Sequence, residues 1–415
     1  MSNRLLVILL SVLASRDVFA WSWKDAVSMA IDKNPNLQAQ KQNAEVFELR
    51  YKNAKALMYP RLSIRGVMQE FQNETSEFQY RATIGPRLQW LLYQGGKVRA
   101  GIHQADAIQK QTDINVLLTS VSTNSKLREA FAQAVYAKNF LDLAHRIEKQ
   151  RQENVKITEI RYKSGLEYKW VFLSSTAKWK KAQLDVTRAE MNKKTALADL
   201  ENMLGVLPIE SVEEIDSADF YTSSANYAED QLISKYNANP KYLFQLFRVE
   251  ESESFVDVNR ADQYPQIGID ATFAAGSVEN RKLFPYWLAT AGLDLPLFEG
   301  GRIRRNISIA KAQLSQRKFD LEQAELDVKA TIKKTYLNYY VAEQQVDIGQ
   351  LLVEANKDRA KVVSNQYRAG LATFLDWESS QDAWVNAEID QLNNVRNYQI
   401  NRARLEEAVG MELKI

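Results

Sequence analysis

The spacing of apolar positions along this chain changes from helical to alternating and back, and then does so again. Residues 23–32 form a short amphipathic stretch. Asn34-Pro35 opens a second helix, with Pro tolerated in its first turn, and that helix stops before Pro60. From Leu62 the period falls to two. Leu62, Ile64, Gly66 and Met68 alternate with Ser63, Arg65, Val67 and Gln69. Beyond a polar turn, Tyr80, Ala82, Ile84, Pro86, Leu88 and Trp90 alternate with Arg81, Thr83, Gly85, Arg87 and Gln89. This predicts a hairpin of two strands of about ten residues or more. Pro86 demotes the second strand to an edge or a bulge.

After Gly95-Gly96 the helical period returns, with no Pro until Pro208 and breaks only at Gly101 and Gly165. Residues 97–164 are therefore expected to form one helix, roughly 100 Å long at 1.5 Å per residue. Ile114, Leu118 and Val121, then Leu127, Phe131, Ala134 and Leu141, follow the three-and-four spacing of a coiled coil with a broken heptad. Apolar residues also occur off that stripe, as if the helix touched neighbours on two sides. Gly165-Leu166 fits a C-terminal cap, with Gly left-handed and Leu packing back. A return helix then runs to Gly205.

The whole succession is duplicated. Pro35 pairs with Pro240, Pro60 with Pro265, Gly95-Gly96 with Gly300-Gly301, Gly165 with Gly370 and Gly205 with Gly410, each pair 205 residues apart. The local text agrees, Tyr162-Lys-Ser-Gly-Leu166 matching Tyr367-Arg-Ala-Gly-Leu371. In the second hairpin Ile267, Ile269, Ala271, Phe273 and Ala275, then Trp287, Ala289, Ala291 and Leu293, form the apolar face. The expected organisation is a first repeat over 21–207 with its hairpin at about 60–91 and long helix at about 97–164. An acidic linker over 208–230 follows. The second repeat spans 231–415, with its hairpin at about 265–298 and long helix at about 302–369.

Strands of this length, apolar on one side and mixed-polar on the other, suit a transmembrane barrel. Aromatics near their ends, among them Tyr59, Tyr80, Trp90, Tyr264, Phe284, Tyr286 and Trp287, would form interfacial girdles. The competing reading is a soluble sheet packed on helices. Four strands do not close a barrel, for which about eight is the practical minimum. An open edge in lipid leaves backbone groups unsatisfied, so a membrane-embedded sheet requires several protomers.

The ends and the composition narrow the function. Arg4, the apolar run Leu5–Ala14 and Val18-Phe-Ala20 read as a signal peptide over residues 1–20. The 54 basic and 52 acidic residues nearly balance, which argues against a nucleic-acid partner. The chain has no cysteine, and its two histidines, His103 and His145, fall within helix-like sequence. Gly95-Gly96-Lys97 is too short for a phosphate-cradling loop and reads as a strand–helix joint, as does Gly300-Gly301. No cofactor, metal site or enzymatic activity is expected.

Doubled Asn-Pro helices, Tyr-Pro strand starts, Gly-Gly joints and Tyr-x-x-Gly-Leu reversals in this order resemble the outer-membrane factor (TolC-like) family, over residues 21–415. That resemblance implies a mainly α fold with a membrane β-barrel portion: a long antiparallel coiled-coil barrel plus four strands per protomer, completing a twelve-stranded barrel in a homotrimer. The shorter helices would stack end to end beside the long ones. It implies an outer-membrane exit duct with a large periplasmic portion, for efflux or type I secretion. Its partners would be outer-membrane lipid, a periplasmic adaptor (membrane fusion protein) and an inner-membrane pump of RND, ABC or MFS type. A soluble coiled-coil adaptor without a pore is the alternative.

The resemblance places adaptor docking at the tips, Gly165, Leu166, Gly370 and Leu371. It places an aperture around Asp376, Tyr367, Phe172, Phe374 and Trp377. Asp376 would form a carboxylate ring favouring cations, or else it is an exposed first-turn residue favoured by the helix dipole. The family's second aspartate is Ser379 here, and the partners of its tip tyrosine are Ala372 and Phe172. The polar latch is therefore expected to be missing and the constriction more apolar, unless Phe172, Phe374 and Trp377 are interhelical packing.

Overall fold

The structure is a computed structural model that describes residues 22–72, 78–205, 228–278 and 284–412. The signal-peptide expectation, the hairpin turns and most of the acidic linker lie outside the described residues. Helix α1 (Trp23–Lys33) starts at a capping box in which Ser22 and Asp25 bond reciprocally. Then come α2 (Pro35–Ala56), β1 (Arg61–Gln72), β2 (Phe78–Gln94), α3 (Lys97–Lys163) and α4 (Lys169–Leu204). The second half adds a short α5 (Glu229–Ser234) and a 3-10 turn, and then repeats the order. It runs through α6 (Pro240–Ala261), β3 (Gln266–Val278), β4 (Phe284–Asp294), α7 (Arg302–Arg368) and α8 (Phe374–Val409).

The two long helices each contain 67 residues, which at 1.5 Å per residue is roughly 100 Å. Beside them the shorter helices run end to end, α4 into α2 and α8 into α6. The Asn-Pro pairs make these splices. Asn34 Oδ1 accepts from the backbone N–H of Asn36 and Leu37, both at 3.1 Å, while its Nδ2 donates to the carbonyl of Met203 at 2.8 Å. Asn239 repeats this, accepting from the Lys241 N–H at 3.0 Å and donating to the Ala408 carbonyl at 2.7 Å. One side chain thus caps the start of one helix and an orphan carbonyl at the end of another. Toward the sheet, α3 lies between α2 and α6; toward the reversal it lies between α4 and α8. Helix α7 packs on α6 and α8 along its length.

Small residues set these close helix contacts. In α4 the buried Ser175, Ala182, Ala189 and Ala196 recur every seven positions, a strict heptad on this helix. The thickest core lies where α1 crosses α3 and α4. There Trp23 meets Phe131 edge-on at 5.6 Å, around Ala26, Val27, Leu127, Leu200 and Leu204.

The four strands form one antiparallel sheet in the order β1-β2-β3-β4. The strand carrying Pro86 is therefore central rather than an edge, contrary to the expectation from its sequence. The β2–β3 ladder runs from Ile84↔Ala275 to Arg87↔Thr272 and skips Gly85 and Pro86 without a change of register, so no ladder bond is demanded of the proline. The bulge lies instead between Leu91 and Tyr93. Gly85 is needed at this skip, because a Cβ there would sit 2.1 Å from the Phe273 carbonyl oxygen.

Candidate functional site: the apolar sheet face and the reversal end

Strand alternation places Leu62, Ile64 and Met68 on the same face as Ile84, Trp90, Phe273, Trp287 and Leu293, and all are exposed. A continuous exposed apolar face of this kind marks a lipid or protein contact. The opposite face is concave and mixed in character, with Arg65, Gln69, Thr83, Arg87, Asp270 and Thr272 interspersed with Val67, Ala274 and Leu288 around a hollow of about 550 Å³. Of the expected girdle aromatics, Trp287 stands on the apolar face at 76% exposure. Trp90 sits at the helix-side end of the sheet, its indole N–H donating to the Met58 carbonyl at 3.2 Å. Tyr286 is turned to the hollow and is not a girdle residue. The side chains of Tyr80 and Phe284 lie outside the described residues.

The strand–helix joints need their glycines. Gly95, Gly96, Gly300 and Gly301 all have positive φ, and Gly96 and Gly301 stand at the N-caps of α3 and α7. A Cβ on Gly95 would lie 2.5 Å from the Ala261 carbonyl oxygen, so this joint nests against the turn between α6 and β3 of the other repeat.

At the far end each long helix closes in the same paired bonds. Gly165 and Leu166 donate to the carbonyls of Tyr162 and Arg161, and Gly370 and Leu371 to those of Tyr367 and Gln366. Both glycines are left-handed, as expected. The leucines do not pack back: Leu166 is 66% and Leu371 81% exposed, leaving two apolar points at the end of the rod. Tyr168 and Trp170 are exposed beside them.

Behind these points the two hairpins are locked together. Tyr367 is fully buried and stacks on Trp377 at 4.5 Å, with Phe374 and Val171 completing the cluster. Tyr367, Phe374 and Trp377 are thus packing between hairpins within one protomer, and none of the three is exposed to line an opening. Phe172 stacks on Tyr162 at 6.0 Å and is half-buried. Asp376 is exposed, and its carboxylate accepts from the Thr373 hydroxyl at 2.6 Å in the capping box of α8.

A polar link of a different kind is present, one that does not use the positions of the expected latch, Ala372 and Phe172. The Tyr367 hydroxyl donates to Glu167 Oε1 at 2.9 Å. Arg161 Nε lies 3.4 Å from the same carboxylate, and its Nη1 donates to the Tyr367 carbonyl at 3.2 Å. Its guanidinium covers the tyrosine ring at 4.6 Å. Burial, reinforced by the Glu167 carboxylate, holds the phenol well above its ordinary pKa, so it stays a donor. The partners come from the last turn of α3 and from the reversal loop, away from Ala372 and Phe172, where the resemblance directs attention.

Further along, Asp382 on α8 takes Arg151 Nη2 of α3 at 2.6 Å and Lys178 Nζ of α4 at 2.8 Å. Lys178 also reaches Glu378 at 2.8 Å. Burial alone would raise the Asp382 carboxyl, but the Lys178 hydrogen bond and the Arg151 charge outweigh it and hold the group below the usual range. Opposite charges scattered along three helices give no periodic signal, so this network was not legible before the helices were packed.

His103 and His145 are both exposed on α3. Among the described residues no group of His, Asp and Glu is arranged to hold a metal ion, and no helix is long and apolar enough to cross a membrane.

Comparison with known proteins agrees with this geometry. The family model described as outer membrane efflux protein matches residues 26–206 and 238–411, one block per repeat. The chain is 22% identical over 401 residues to the alkaline protease secretion protein AprF of Pseudomonas aeruginosa, covering 91% of this chain and 82% of that protein. Protein CyaE of Bordetella pertussis is 22% identical over 312 residues, covering 72% of this chain and 64% of its own length. Among solved structures, the outer membrane protein VceC of Vibrio cholerae superimposes with a TM-score of 0.84 at 17% identity, over 94% of this chain and 96% of that one. The open state of the MtrE outer membrane channel of Neisseria gonorrhoeae gives 0.82 at 18% identity, over 94% and 89%. With the family match spanning both repeats, the chain belongs to the outer membrane efflux protein family, whose members are passive exit channels of the Gram-negative outer membrane rather than enzymes or soluble adaptors.

Proposed function

We propose that three copies of this chain form one duct whose sheets close a twelve-stranded barrel and whose helices close a tunnel below it. The observation that carries this reading is a four-stranded sheet with an exposed apolar face and two unpaired edges, β1 and β4. In lipid those edges must be paired, and pairing β4 of one copy with β1 of the next does so around a closed ring. The helices support the same assembly. On α7 the exposed residues Val341, Ile348 and Val362, and likewise Leu337 and Leu351, recur at multiples of seven. That is the spacing of a coiled-coil seam, here without a partner among the described residues of its own chain. Purified protein in detergent should run as a stable trimer and give stepwise conductance in a planar bilayer; a detergent-stable trimer without conductance sinks the duct.

The reversal end would be the periplasmic aperture. The exposed apolar points at Leu166 and Leu371 suit contact with a periplasmic adaptor, which links the duct to an inner-membrane pump. The buried Tyr367–Trp377 cluster acts on the aperture from behind, by fixing how α8 lies against α3 and α4. The exposed Asp376 carboxylate, repeated by three-fold symmetry, would favour cations there. Asp376→Asn is expected to lower cation selectivity and weaken block by multivalent cations, and unchanged selectivity would place the side chain outside the pore. The nearly full-length match to a protease secretion protein favours an exported polypeptide as cargo over a small molecule. Co-purification of adaptor and pump with the tagged chain tests that: a drug-type pump recovered in place of a polypeptide exporter overturns it.

A further inference from the structure

We propose that Arg65 gives the barrel lumen a preference for anionic groups on whatever passes through it. This rests on the barrel reading above, in which the concave face of the sheet becomes the wall of the lumen.

The charges on that face are sorted. Arg87 Nε donates to both oxygens of Asp270, at 3.0 and 2.8 Å, and its Nη2 also reaches Oδ2. Gln89 Nε2 adds a further bond to Oδ2 at 3.1 Å. Arg87 and Asp270 therefore cancel locally, across the boundary between the two repeats. Arg65 is placed differently. It stands on the edge strand β1, is exposed, and lines the same hollow. Its direct strand partner is Gly85, which itself lies against the backbone of Phe273 and Ala274, so nothing bulky covers the guanidinium from that side. Among the described residues Arg65 makes no ion pair. Arg61 and Asp294 lie nearer the helices, at the ends of the two edge strands, and are opposite in sign.

Among the described side chains each protomer thus adds one uncompensated positive charge at the Arg65 level, and three-fold symmetry makes a ring. Rings of charged side chains select ions by sign. Low-dielectric walls concentrate their field in the water between them. A twelve-stranded barrel is wider than one of eight, whose interior side chains just fill it. The field therefore spans the lumen only when screening is weak: the Debye length is about 10 Å at 0.1 M salt but about 30 Å at 0.01 M.

The test is the zero-current potential of single trimers in a planar bilayer under a KCl gradient, first centred near 10 mM and then near 1 M. Near 10 mM, Arg65→Glu should lower the chloride-to-potassium permeability ratio by about threefold, the effect of shifting the lumen potential by about half a kT. Arg65→Lys should leave the ratio unchanged. Asp270→Asn, which frees Arg87, should raise it. Near 1 M, where the Debye length is about 3 Å, the variants should converge. Conducting Arg65→Glu trimers with the wild-type ratio at low salt would overturn the proposal, as would an equal shift from Arg65→Lys, which would assign the effect to strand packing. A wild-type trimer that inserts without conducting removes the barrel reading and this inference together.

Discussion

Tyr367 holds the two hairpins together in two ways: its ring is sandwiched in the buried cluster, and its hydroxyl binds Glu167. Tyr367→Phe separates them. It keeps the stack on Trp377 and removes one hydrogen bond, worth about 0.5–1.5 kcal/mol, in each protomer. The expected outcome is a trimer of nearly unchanged thermal stability that opens more often in single-channel records; equal open probability would confine the link to a structural role. Asp382 adds a pH dependence. Its folded pKa lies below the ordinary 3.8, so its pairing with Lys178 and Arg151 is fully present above that value and is lost as pH falls through the folded one. Conductance should hold steady from pH 7 to pH 5, rise only below about pH 3.8, and lose that rise in Asp382→Asn.

Among the elements, the Asn-Pro splices explain how short helices act as continuous rods. A Pro at the first helical position needs no backbone donor, and the preceding Asn supplies both a cap and a bond back to the helix behind it. Asn34→Ala should cost about 1–2 kcal/mol, as should Asn239→Ala, by loss of the cap and exposure of an orphan carbonyl. Because the two splices lie in different halves, the losses should add in the double variant when helical circular dichroism is followed on heating. A much smaller loss would show that the helix ends are held by packing alone. The sequence marks both asparagines as helix starts, but the partner carbonyls, at Met203 and Ala408, lie 169 residues away in each case. Local pattern carries no information over that separation.

For the whole molecule, the two repeats share a frame yet differ in exposure. Helix α3 is flanked on both sides by helices of its own chain, whereas α7 is left with an exposed apolar seam. Leu351→Glu places a charge on that seam at a site already 67% exposed in the protomer, so the chain itself should fold normally. The expected result is loss of the detergent-stable trimer, measured by light scattering, with unchanged helical content. A persistent trimer would move the interface elsewhere.

What the amino-acid order determined by itself was periodicity and its duplication. Alternation defines strands, three-and-four spacing defines helices, and glycines with positive φ define joints and reversals, because each depends on neighbours a few residues apart. Those rules also foretold the lengths of the long helices to within a residue. They misplaced Pro86 at an edge, because strand order depends on which hairpin pairs with which. They also misjudged Leu166 and Leu371, whose exposure depends on what lies around the cap. Most of the charged partners, Arg161 with Glu167, Arg151 and Lys178 with Asp382, Arg87 with Asp270, were decided only by tertiary structure. An ion pair needs its charges within a few ångströms, and that distance is set by the packing of separate helices and strands for Asp382 and for Arg87, and by the fold of the reversal loop for Arg161.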